Sequence, residues 1–197
     1  MTSFENGQIS AMLFLNTIKD ANLLCWNKKF IDEEYYDNFV NFENDFEYVF
    51  TKIEDDGKNV DNEEEKRKNL VFSIYVRYNY VVSHLEILNK LLKILVCQKP
   101  NLKFNEGTTL PQMITMICEK IKCSKQTIKI TKESFYTDFR NAIAHHSFLI
   151  SEHGITIHPN DIKKKMTYDI FDLQELNVHV KGLLSGFNEF AKTEANT

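Results

Sequence analysis

Glycine and proline are scarce, with six Gly and three Pro in 197 residues. Sandwiches and barrels built on many short strands draw on these residues at each tight turn, so such an architecture is disfavoured and helix is the expected element. Four cysteines, Cys25, Cys97, Cys118 and Cys123, are too few for a disulfide scaffold and are expected as reduced thiols. The opening MTSFENGQIS lacks the basic n-region of a signal peptide. Long apolar runs are missing as well: the most apolar stretch, Val81 to Cys97, carries His84, Glu86, Lys90 and Lys93, and burying those charges in a bilayer is costly. A cytoplasmic protein without membrane contact is the expectation. Arginine is the other rarity, three residues against 21 Lys, so ordinary surface positive charge falls to lysine.

What is present supports a real core: 43% apolar residues, with Phe 15 and Tyr 8. The net charge of −4 hides a division. Residues 1–65 hold 5 Lys against 16 Asp and Glu, a net of −11, whereas 66–197 hold 19 basic against 12 acidic, a net of +7. The second part can approach a phosphate backbone that the first repels.

Apolar spacing places the helices. Val71, Ile74, Tyr78, Val81, Leu85, Leu88, Leu92 and Leu95 step by three and four, so one stripe follows a long core helix that stops before Pro100. A second stripe of Ile87, Leu91 and Ile94 widens the face for several neighbours. The same alternation in Phe39, Phe42, Phe46, Val49 and Ile53, and in Leu173, Leu176, Val180, Leu183, Phe187 and Phe190, predicts two more helices. Further helices are expected over Ser10 to Trp26 and Leu110 to Ile121, with Pro111 in the first turn of the latter. The charge-rich Glu54 to Lys68 reads as an exposed loop whose acidic end opens the long helix, and Phe104 to Thr109 as another loop. After the motif segment, Phe148 to Ile150 and Ile155 to Ile157 flank a Ser151–Gly154 turn, a hairpin pattern. The expected fold is an all-α antiparallel helical bundle with a small β-hairpin, one domain over 1–197 with acidic N-terminal helices in 1–65.

Thr131 to Phe148, TKESFYTDFRNAIAHHSF, carries the chemistry. Read as one helix, Phe135, Phe139, Ala142 and Ile143 form an apolar arc, while Ser134, Asp138, Asn141 and His145 fall within roughly 60° of each other on the other side. Asn141 and His145 are an i, i+4 pair, so the amide can orient the imidazole. Arg140 stands about 140° from His145 around the wheel and reaches it with a long side chain or acts toward a second chain. Arginine beside Asn and His, in a chain that otherwise uses Lys, suits bidentate recognition of phosphate. From residue types alone the alternative is packing, with Arg140 on Tyr136 and the polar pair satisfied inside the bundle.

The order Arg140-Asn-Ala-Ile-Ala-His145 resembles the R-x4-6-H motif, with a polar residue after the Arg, of the HEPN superfamily (higher eukaryote and prokaryote nucleotide-binding domains). Its setting between long helices, a strand–turn–strand and one last amphipathic helix is similar to the arrangement in many HEPN proteins, from the long helix to the C-terminus. The resemblance implies a metal-independent endoribonuclease, without a cofactor, that leaves a 2′,3′-cyclic phosphate and a 5′-hydroxyl. His145 would act as general base or acid, Arg140 would neutralise the phosphorane, and Asn141 would orient His145 or donate to phosphate, with Asp138 and His146 in support. It further implies an RNA substrate, a homodimer with the motifs at the interface, and a toxin–antitoxin, abortive-infection or phage-defence setting with a partner such as a nucleotidyltransferase-like antitoxin. In HEPN toxins of that kind a Tyr often lies two residues after the His; this chain has Ser147 there. The rival is a non-catalytic helical module that binds nucleotide, RNA or protein, or serves as a dimerisation scaffold.

Outside the motif, Arg77 among Tyr75, Tyr78 and Tyr80 is a candidate RNA contact, and Lys163, Lys164 and Lys165 are candidates for following phosphates. His145, His146, His153 and His158 lack metal-site spacing, and Cys118 and Cys123 lack a second pair, so no metal is expected.

Overall fold

A computed structural model describes residues 1–24, 36–96, 102–158 and 165–195. It is mostly helical with a three-stranded antiparallel sheet. Helix α1, Ser3–Asp20, begins at a capping box in which Thr2 accepts the Glu5 N–H and Glu5 accepts the Thr2 N–H. The predicted start at Ser10 was late because this polar cap precedes the apolar stripe; Trp26 lies outside the described residues. Helix α2 is Tyr36–Lys58 and α3 is Glu63–Leu95. The expected loop over Glu54 to Lys68 shrinks to residues 59–62, because charged residues continue both helices through i, i+3 and i, i+4 pairs such as Lys52–Asp56 and Lys68–Glu64. Asn62 caps α3, accepting from the Glu64 N–H at 2.8 Å, and three Glu follow in the first turn.

Helix α3 is the central element: α2, α4 (Leu110–Lys120), β1 and the C-terminal helix α7 (Ile170–Ala195) all pack on it. Its foreseen stripe is buried from Ile74 to Leu95, and so is a second face bearing Val76, Tyr80 and His84. That face has no apolar signature in sequence because polar groups satisfied by α2 interrupt it.

The segment read as one helix is two. Helix α5, Lys125–Ser134, ends where Tyr136 adopts a φ of 47°, and α6, Thr137–Ala144, starts afresh. Ser134 therefore does not belong to the polar column of the motif helix. The break is packing-driven: Phe135 is fully buried with its ring edge-on to Phe14 of α1 at 5.4 Å, and Tyr136 meets His179 of α7 at 5.1 Å. The hairpin is present as β1, Phe148–Ser151, and β2, Gly154–Ile157, joined by Glu152-His153. A third strand unforeseen in sequence, β3 (Met166–Tyr168), adds to β2. Gly154 is needed there, since its φ is +130° and a Cβ would lie 2.0 Å from the Tyr168 carbonyl oxygen.

Half of the rare glycines serve one contact. A Cβ on Gly7 of α1 would fall 2.1 Å from the His179 carbonyl oxygen, and one on Gly182 of α7 would fall 2.1 Å from that of Phe4, so α1 and α7 touch backbone to backbone. Gly182→Ala is expected to cost at least about 2 kcal/mol through overpacking and to lower the thermal midpoint by roughly 4–8 °C. Gly57→Ala, in α2 with nothing within 4 Å, is expected to raise stability by about 0.5–1 kcal/mol. Thermal unfolding followed by circular dichroism checks both.

Candidate functional site

The motif helix α6 is eight residues long, too short to hold itself helical in water. Its partners hold it. Phe139 and Ala142 are buried, and the Phe139 ring lies 6.0 Å from Tyr78 of α3 and 5.4 Å from Tyr168 of β3. At its start the break is fixed from α7, where the His179 ring nitrogen Nε2 is 3.0 Å from the Ser134 carbonyl oxygen. Burial is the largest influence on His179 and lowers its pKa, against the opposing effect of backbone hydrogen bonds at Ser134 and Ser3. The neutral ring donates Nε2–H to Ser134.

Arg140 turns toward α3. Its Nε donates to Glu86 Oε1 at 2.8 Å, with the arginine side chain 14% exposed and the glutamate 41%. Glu86 is the partner of Arg140 that sequence reasoning missed; its one trace is a carboxylate inside the most apolar stretch of the chain. His145 sits just past the end of α6, exposed, its N–H donating to the Asn141 carbonyl at 3.1 Å. Among the described residues the Asn141 amide and the His145 ring share no hydrogen bond, so in the single chain the two are neighbours without contact. Arg140, within α6, and His145, just past its end, thus face about 140° apart by the helical pitch, the arginine inward on Glu86 and the imidazole in solvent.

His146 ends the helix. It has a φ of 52°, and the Ser147 N–H returns to the Ala142 carbonyl at 2.7 Å, a Schellman closure with a non-glycine in the left-handed position. Asp138 is exposed in the first turn of α6, where a carboxylate suits the helix dipole. Asp138 and His145 are seven residues apart and share one face of the helix within about 20°.

The other candidates are dispersed. Arg77 is 8% exposed, 4.9 Å above the Phe50 ring and 3.4 Å from Glu54 Oε1, and its Nε has no partner. Nine residues separate it from Glu86, about 13 Å along α3 and half a turn round it, so it does not join Arg140. Lys165 is exposed just before β3, while Lys163 and Lys164 lie outside the described residues. Among the described residues no group of three or more His, Cys, Asp or Glu is placed to hold a metal ion, and no helix is long and apolar enough to cross a membrane.

A second polar cluster ties α2 and α7 to α3. Glu43 accepts from Tyr80 Oη at 2.9 Å and Lys181 Nζ at 3.0 Å and bonds His84 Nε2, while His84 Nδ1 faces the Tyr80 carbonyl at 2.8 Å. Burial alone would raise the Glu43 pKa, yet the hydrogen bond and charge of His84, with Lys181 and Tyr80, hold it at about 2. This cluster is a structural clasp.

No family model, no curated protein and no solved structure matches this chain.

Two outcomes follow from the geometry. His146→Gly relieves a left-handed non-glycine and is expected to stabilise by about 1 kcal/mol, a thermal midpoint rise of roughly 2–4 °C. His179, with its folded pKa below the unfolded value, adds stability that is complete above the unfolded pKa of about 6.5 and is lost as pH falls below it. Between pH 7 and 5 the thermal midpoint should therefore fall more in the wild type than in His179→Asn.

Proposed function

We propose that this chain is a metal-independent endoribonuclease of HEPN type, working in a toxin–antitoxin, abortive-infection or phage-defence setting. The observation that supports it best is the disposition of Arg140 and His145: an exposed imidazole at the end of a braced helix, and an arginine on the same helix held by a partly exposed carboxylate. Glu86 holds the guanidinium extended until a phosphate displaces it, an exchange of one anion for another that Arg suits better than Lys.

In the reaction His145 takes the proton from a ribose 2′-hydroxyl as its oxygen attacks the adjacent phosphorus. The bond to the 5′-oxygen breaks and a protonated imidazole returns a proton to that leaving oxygen. Arg140 stabilises the charge gathering on the phosphoryl oxygens, and Asn141 donates to phosphate or aligns the imidazole once the site is assembled. Products are a 2′,3′-cyclic phosphate and a 5′-hydroxyl, and no bond change requires a redox partner. Because Arg140 and His145 face different ways around the α6 axis, a second copy would bring its own imidazole to the first copy's arginine. The proposed assembly is accordingly a homodimer with the motifs at its interface, acting in the cytoplasm. A nucleotidyltransferase-like antitoxin is proposed from the motif resemblance alone.

The Arg140–Glu86 pair also favours a second reading, in which the arginine is permanently engaged and the fold is a non-catalytic binding or dimerisation module. Incubation with assorted RNAs in EDTA separates the two. The nuclease gives fragments ending in cyclic phosphate, and Arg140→Ala and His145→Ala each slow their formation by at least about 100-fold with unchanged circular dichroism. Wild type and variants leaving every RNA equally intact would reject catalysis, and RNA retention without turnover would establish the binding module.

A further inference from the structure

Beside the motif helix, a cleft of about 620 Å³ lies between α5, the start of α6 and β3. One wall is a lysine stripe: Lys125, Lys129 and Lys132 recur at the four- and three-residue spacing that puts them on one face of α5. Lys129 is 3.6 Å from Glu133, whereas Lys125 and Lys132 have no carboxylate partner among the described residues. Tyr136 and Tyr168 also line the cleft, both half-buried with their rings anchored edge-on against His179 and Phe139.

Tyr136 is the second observation. A bulky side chain in the left-handed region is an outlier, and the turn between α5 and α6 would form at less cost with glycine. Here that turn, fixed by packing against Phe14 and His179, places the Tyr136 ring in the lining of the cleft. Cations along one wall and anchored rings in the lining are the two elements that non-paired nucleic acid requires, phosphates following the charge and bases lying on the rings. Asp138 lines the cleft, and His145 follows it by seven residues, just past the end of α6 and within about 20° of it around the helix axis. Lys165 directly precedes Met166, which lines the opposite wall.

We propose that the cleft between α5 and β3 binds an unpaired RNA strand, with Lys125, Lys129 and Lys132 on its phosphates and Tyr136 and Tyr168 under its bases, and delivers the strand to His145. This rests on the ribonuclease reading for its destination, though not for the binding itself. Both acidic residues of the cleft, Glu133 and Asp138, oppose phosphate, so the lysines have to outweigh them and binding weakens steeply with salt.

The test uses the full chain carrying His145→Ala, so that RNA persists, and a fluorescent single-stranded oligoribonucleotide titrated at several salt concentrations. Neutralising Lys125, Lys129 and Lys132 to Ala is expected to weaken binding at least about tenfold and to reduce the slope of log affinity against log salt by about 2. Neutralising the exposed Lys52, Lys58 and Lys68 on α2 and α3 is expected to leave both unchanged. Tyr168→Leu should weaken RNA about tenfold and leave inorganic polyphosphate unaffected. Equal effects of the two lysine triples, or no effect of the first, overturn the proposal, as does equal loss of RNA and polyphosphate in Tyr168→Leu with native circular dichroism. The two readings fail separately. Cleavage by His145-bearing protein with the α5 lysines removed and an unchanged KM sinks the cleft alone. Lysine-dependent binding by a chain that cleaves nothing sinks the nuclease alone.

Discussion

The backbone contact between α1 and α7 is the constraint on which the rest depends. Two helices approach so closely only where side chains are absent, and three of the six glycines, Gly7, Gly182 and Gly186, stand there. With α7 fixed against α1, His179 is carried to the end of α5, where it accepts the edge of Tyr136 and bonds the Ser134 carbonyl. That bond stops α5 and sets the direction in which α6 leaves. Arg140 then meets Glu86 and His145 emerges into solvent. A glycine near the N-terminus and a histidine near the C-terminus thus decide the orientation of a helix that neither of them touches.

Two kinds of charge cluster divide the labour around α3. On one face Glu43, His84, Tyr80 and Lys181 close a mutually satisfied network, its carboxylate held at about 2, and such a network fixes one packing arrangement. On the other, Arg140 has one partly exposed charged partner among the described residues. The same pairing of opposite charges is a closed clasp in the first case and a contact open to solvent in the second, and burial makes the difference. Arg77 falls with the first kind: enclosed by Phe50 and Glu54, it stabilises the α2–α3 packing.

Apolar spacing was legible wherever one face meets the core. The stripes of α3 and α7, the α4 limits and the β1–β2 hairpin all follow from local pattern. The errors have two causes. The cap at Thr2 and the charged continuation of α2 and α3 rest on local polar pairs, Thr2 with Glu5 and Lys52 with Asp56, which apolar periodicity does not register, whereas the polar buried face at Tyr80 and His84 depends on Glu43, distant in sequence. The split at Tyr136 is the sharpest case, since nothing in TKESFYTDFRN breaks a helix by composition; Phe14 and His179 impose it. Of the candidate site, the order of Arg140, Asn141 and His145 was visible, and their divergence around α6 followed from the pitch. Glu86 was not visible as a partner, because a carboxylate on an apolar helix gives no sign of which arginine it will meet.

The brevity of α6 gives the site an all-or-none character. Two turns of helix braced by Phe139, Ala142 and the flanking aromatics have no local stability of their own, so no partly unfolded chain keeps Arg140 and His145 in their relative positions. The arrangement depends on the packing that α1 and α7 make together. Loss of the fold is then also loss of the arrangement, and a nascent or damaged chain holds Arg140 and His145 in no fixed relation until its first and last helices have met.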